Sequence, residues 1–299
     1  GACGATLFAE NRLADVVGHT AMPYVGPEHH YISFNGEPSE KAPWMLMIGG
    51  HHIAFNFMFN TGEPGATPLF AGSDPARFTD AEGVAHFPMS RQGGALADMA
   101  QAVAKYPEAH LPGVYTDLVR SVIGFGGLAL PNGERKPGAP GVAAGEGPPP
   151  GGPAPGGGPP GPPGGGGPNP FAAPGFGIDA NYPLDYPTGP SGRGVAYSRL
   201  SRAEQALVRN AIEAYAALPG RRISAPLLEL YERADQLADT YVGLSGDPKL
   251  VAPNAYVRID GPRVWIEMSV QPSLVEREAT HFHSVWRDKR SDYGGRFRG

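Results

Sequence analysis

The sequence predicts an α+β fold with a largely antiparallel sheet. Three observations carry this. Strand-like runs fall at both ends of the chain, the best helical patterns fall between them, and a turn signal joins the last strands into a hairpin. A Gly/Pro-rich tract interrupts the order. The 299 residues include 44 Gly and 34 Pro, and residues 137–170 alone hold 14 Gly and 13 Pro. The expected organisation is therefore a single domain in two parts, 1–136 and 171–299, separated by a low-complexity insert at 137–170. The Gly spacing in the insert breaks the strict triplet of a collagen helix, so polyproline II character is expected instead.

The elements follow in order. Residues 5–17 read as a short helix with Leu7, Phe8, Leu13 and Val16 on its apolar side. Strands are expected over 30–34, 43–48 and 51–60. Gly49-Gly50 would bend or bulge the middle of that region. In the third run Ile53, Phe55, Phe57 and Phe59 share one face with His51, while Ala54, Asn56, Met58 and Asn60 share the other with His52. A short strand at 67–70 closes a hairpin through Gly62-Glu63-Pro64-Gly65. Helices are expected over 93–106 and 114–123, the second ended by Gly124-Phe125-Gly126-Gly127. Ser201-Arg202-Ala203-Glu204 fits a capping box, opening a helix with a stripe of Ala203, Leu207, Ala211 and Tyr215. A further helix runs from near Ser224 through Tyr241 to Gly243. Strands at 256–259 and 264–270 form a hairpin around Asp260-Gly261-Pro262, and 280–288 is the last strand.

Composition excludes several functions. With a net charge of −5 and no long Lys/Arg cluster, nothing tracks nucleic-acid phosphates. No apolar run is long enough for a membrane span. The single cysteine, Cys3, forms neither an internal disulfide nor a Cys-based zinc site. Gly1-Ala2-Cys3 matches the end of a lipoprotein cleavage box, which makes Cys3 a candidate lipid anchor and points to an extracellular, cell-surface or periplasmic location. No phosphate loop, dinucleotide fingerprint or nucleophile elbow is present.

The chemistry concentrates in histidines. Four of the nine fall in two groups, His51-His52 and His281-Phe282-His283. An H-x-H on a strand puts both imidazoles on one face, about 7 Å apart by strand rise, close enough to chelate one metal. An adjacent pair splits across the faces, so His51 or His52 would complete the set. Glu267 lies opposite in parity to Val264, Ile266, Met268 and Val270 and is a candidate fourth ligand or base. Arg287 shares the parity of His281 and His283 and is a candidate for holding an anionic substrate group. Two or three His, a carboxylate and an open position suit catalytic zinc, iron or copper. The structural alternative is that the H-x-H pair is hydrogen-bonded packing, with Trp286-Arg287-Asp288 part of the same polar network.

Three blocks also carry a family resemblance: YISFNGEPSEKAPWMLMIGGHHIAFNF with TPLFAGSDP, GVAYSRLSRAEQALVRNAIEAY, and VRIDGPRVWIEMSV followed by THFHSVWRDKRSDYGG. In this order they resemble the bacterial domain-of-unknown-function family numbered thirty-five hundred, over roughly residues 28–80 and 193–296. The paired His51-His52 and the His-x-His-x-x-Trp-Arg-Asp from His281 to Asp288 are its most specific parts. The family's usual Trp-Gly-Trp before the double His is here Trp44-Met45-Leu46. The resemblance implies the layout and marks the histidines without implying a reaction. Two functions are then expected to compete. One is a secreted metal-binding protein, with enzymatic use of the metal as its extension. The other is an extracellular structural subunit whose Gly/Pro tract packs between copies in a homo-oligomer or filament.

Overall fold

The computed structural model describes residues 30–50, 52–61, 65–80, 83–119, 186–273, 276 and 278–295. The expected helix at 5–17, His51 and the tract at 137–170 lie outside the described residues. One large antiparallel sheet organises the rest. Its strands are β1 (Tyr31–Asn35), β2 (Trp44–Gly49), β3 (Ile53–Phe59), β4 (Leu69–Ser73), β7 (Val195–Ala196), β8 (Tyr241–Ser245), β9 (Tyr256–Asp260), β10 (Val264–Pro272) and β11 (Thr280–Asp288). A separate two-residue hairpin comprises β5 (Phe78–Thr79) and β6 (Ala85–His86). The sheet order is β1-β2-β3-β4-β11-β10-β9-β8-β7, so the N-terminal meander and the C-terminal strands meet at the β4–β11 seam. This is the α+β arrangement the sequence predicts.

The long central strands β10 and β11 are buried on both faces over most of their length. One face packs against the helices α1 (Ser90–Val103), α2 (Arg202–Ala216), α3 (Arg221–Tyr231) and α4 (Ala234–Ala238). Ile53, Leu69, Ile259, Ile266, Phe282 and Trp286 supply the sheet side of that core, and Leu96, Met99, Val208, Ile212 and Tyr215 the helix side. The opposite face bears Ala54, Phe70, Trp265 and Val285, closed by Leu118 and Tyr186. Beside them Tyr256 packs with Leu111, Tyr115 and Val119. The loop over residues 111–119 therefore lies on the face the helices leave open.

Three expectations are corrected. Residues 114–119 form irregular loop rather than helix. Their apolar side chains sit at Tyr115, Leu118 and Val119, which serves a loop lying on a sheet as well as a helix. The helix expected to run from Ser224 to Gly243 is instead α3 and α4, and Tyr241 opens β8. Hydrogen-bonded registry with β9 overrides the local helical pattern there. In α2 the buried face is Glu204, Val208, Ala211, Ile212 and Tyr215, not a stripe through Ala203 and Leu207. The capping box is present, with Ser201 Oγ accepting from the Glu204 N–H and Glu204 Oε2 accepting from the Ser201 N–H at 2.7 Å.

Candidate metal centre

The double glycine marks a chain reversal. β2 ends at Gly49, and the Gly50 N–H donates to the Ile53 carbonyl at 2.8 Å. His52 sits at this turn, immediately before β3. The Gly72 N–H donates to the His52 carbonyl at 2.8 Å, so His52 is paired with the middle of β4. On the other side of β4, Gly72 pairs with His283, and His283 pairs with Ser269 of β10. One row across the sheet therefore reads Ser269, His283, Gly72, His52. The adjacent row holds Gln271 and His281.

This registry brings His52, His281 and His283 together. One ligand nitrogen from each lies within 4.8 Å of the others. The Nε2 atoms of His52 and His281 are 3.0 Å apart. Two imidazole nitrogens on a tetrahedral metal, with bonds of about 2.0–2.1 Å, stand about 3.3 Å from each other. The pair is thus already at chelating separation. His52 and His281 are buried, and the His283 side chain is 20% exposed, so the group is reached from the His283 side.

Gly72 explains how two imidazoles meet across one short strand. A Cβ on it would stand 2.6 Å from the Cδ2 of His52 and 3.0 Å from the Cδ2 of His283. Any other residue would drive the rings apart. The missing side chain makes the cradle in which they meet.

Carboxylates stand behind the rings rather than among the ligands. Asp117, from the 111–119 loop, accepts at Oδ1 from His283 Nδ1 at 3.0 Å. Burial alone would raise its carboxyl, but the bond from His283, its nearby charge and the Leu118 N–H hold it below the ordinary aspartate value. Gln271 Nε2 also lies 3.0 Å from His283 Nδ1. Asp74 Oδ2 stands 4.0 Å from His281 Nδ1, while its Oδ1 accepts from the Ser273 hydroxyl.

Glu267 and Arg287 lie on the same face but are engaged elsewhere. The Glu267 carboxylate is fully buried and accepts from the Tyr256 hydroxyl at 2.6 Å and the Val119 N–H at 2.9 Å, outside the histidine group. Burial, followed by the charge of Glu267, pushes the Tyr256 phenol well above its usual value. Arg287 Nε donates to Asp292 Oδ2 at 2.7 Å in a buried pair. Burial raises the Asp292 carboxyl, and Arg287 offsets only part of that. Arg258 lies directly across from Glu267 on β9 and stacks over Trp265.

The family model described as "Protein of unknown function (DUF3500)" matches residues 5–112 and 179–295. The chain belongs to that family. His52, His281 and His283 all fall inside the matched segments, and Asp117 and the Gly/Pro tract fall between them. No curated protein and no solved structure matches the chain.

Gly72, Asp74, Gln271 and Asp117 are site residues that sequence reasoning missed. A glycine inside an apolar strand is a usable signal for close approach, and Gly72 gave one. Asp117 gave none, because its stretch reads as the surface of a helix.

Three histidine nitrogens, one from the turn before β3 and two from β11, would leave further coordination positions open on a bound ion. Such an ion would polarise an oxygen or lower the pKa of a bound water.

Proposed function

We propose that the chain binds one divalent transition-metal ion through His52, His281 and His283 and uses the open coordination positions catalytically. The observation that carries this reading is the 3.0 Å approach of two buried Nε2 atoms, with a third imidazole beside them across Gly72. Imidazole donors suit zinc, copper and iron alike. The carboxylates near the group, buried Asp74 and part-exposed Asp117, accept hydrogen bonds from hydroxyl, amide and ring N–H groups, which is how a metal site supports its ligands.

Metal analysis of the native protein after dialysis tests the reading. One equivalent of metal in the wild type, lost in His281→Ala and in His283→Ala, is the expected result. A metal-free wild type that also fails to take up added Zn2+ sinks it. Metal and protons compete for the imidazole nitrogens, so loading falls as the medium is acidified.

A second reading, self-association into a structural subunit, draws on the edge strand β1. Tyr31, Ile32 and Phe34 are 58%, 65% and 58% exposed there, an apolar edge of the kind that recruits another strand. The two readings are compatible, since the histidines gather where β3, β4 and β11 meet inside the sheet and the exposed strand is its β1 edge.

A further inference from the structure

We infer that Asp117 is a positioning residue for the metal centre: its carboxylate takes the Nδ1–H of His283 and commits the Nε2 of that ring to the metal. This rests on the metal reading above and adds a residue from outside the segments that define the family.

A neutral imidazole has one N–H and one lone pair. A carboxylate 3.0 Å from Nδ1 only accepts, so the proton sits on Nδ1 and the lone pair on Nε2. The carboxylate is itself held, because the same Oδ1 accepts from the Leu118 N–H at 2.7 Å, and the Ser269 hydroxyl approaches it at 3.5 Å. The next two loop residues, Leu118 and Val119, are buried against the sheet. Gln271 Nε2 stands at the same distance from Nδ1, but an amide –NH2 only donates, so it cannot take the Nδ1–H and would bond Nδ1 only in the opposite tautomer. The carboxylate of Asp117 is the group there that accepts and sets the tautomer with the lone pair on Nε2. Asp74 is no rival for His283, since it faces His281 from 4.0 Å.

Co2+ titration of the full chain, followed by chelator competition and by the visible absorption of the bound ion, tests the inference. Asp117→Ala is expected to weaken Co2+ binding by about 10–100-fold and to shift the absorption band. Asp117→Glu recovers part of both, and Gln271→Ala changes them much less. Thermal melts of the metal-free variants show that each is folded. Wild-type affinity and an unshifted band in Asp117→Ala overturn the inference and leave the metal reading standing, as does a Gln271→Ala loss equal to that of Asp117→Ala. A wild type that binds no Co2+ removes the metal reading itself.

Discussion

Gly72 shows how much of the site depends on a side chain that is not there. Its virtual Cβ meets the edges of both His52 and His283. Overpacking of this kind costs about 1–3 kcal/mol. Drawn from metal binding, that is about a 5–150-fold weaker affinity. Gly72→Ala is therefore expected to stay folded and bind Zn2+ about 5–150-fold less tightly by isothermal titration. Unchanged affinity would mean that the rings meet elsewhere. The histidines themselves were legible, because an H-x-H on a strand fixes both rings to one face. Parity set Glu267 opposite Val264, Ile266, Met268 and Val270, and the register puts it on the face of His283. Parity does not show where a carboxylate turns, and a phenol and an amide claim this one.

At the level of elements, strands at the sheet centre were the most legible. The last strand was read to its ends, 280–288, because Thr280–Asp288 is framed by turns and rich in β-formers. Elements decided by distant partners were not: Tyr241–Ser245 becomes a strand through pairing with β9. The start of α2 was legible because its signal is local. Glu204 closes the capping box and also takes Lys105 Nζ at 2.6 Å and the Tyr106 hydroxyl at 2.9 Å, tying the end of α1 to the start of α2. The Lys105 bond leads the effects that lower its carboxyl from 4.5 to about 2. A depressed carboxylate stabilises the fold above its unfolded value and loses that contribution as the pH falls through the folded one. Glu204→Gln should thus cost about 1 kcal/mol at neutral pH, a capping-sized effect discounted for the exposed Lys105. The gap to wild type should close between pH 4.5 and pH 2. Urea midpoints across that range check it, and a gap independent of pH would assign the cost to packing.

For the whole molecule, the sheet has two unequal ends. β7 is short, and β1 is a full strand with apolar side chains in the open. If β1 joins copies, Ile32→Lys should reduce the sedimenting mass in analytical ultracentrifugation, because a charge on an edge strand opposes edge pairing. Loss of assembly only on deletion of residues 137–170, with Ile32→Lys unaffected, would move the joining surface to the Gly/Pro tract. A protein monomeric throughout removes the structural-subunit reading. The α+β order was visible from sequence alone because alternation and caps are local. The β4–β11 seam was not, since nothing in either strand names its partner.

Leu118 and Tyr186 belong to one apolar cluster around Trp265, although 67 positions separate them in sequence. The two ends of that interval are thus anchored at one point of the fold, next to the candidate metal centre. A change in the number of residues between two such neighbouring anchors leaves the threading of the nine-stranded sheet as it is. Asp117, one residue before the first anchor, would be the first residue of the candidate centre to feel it.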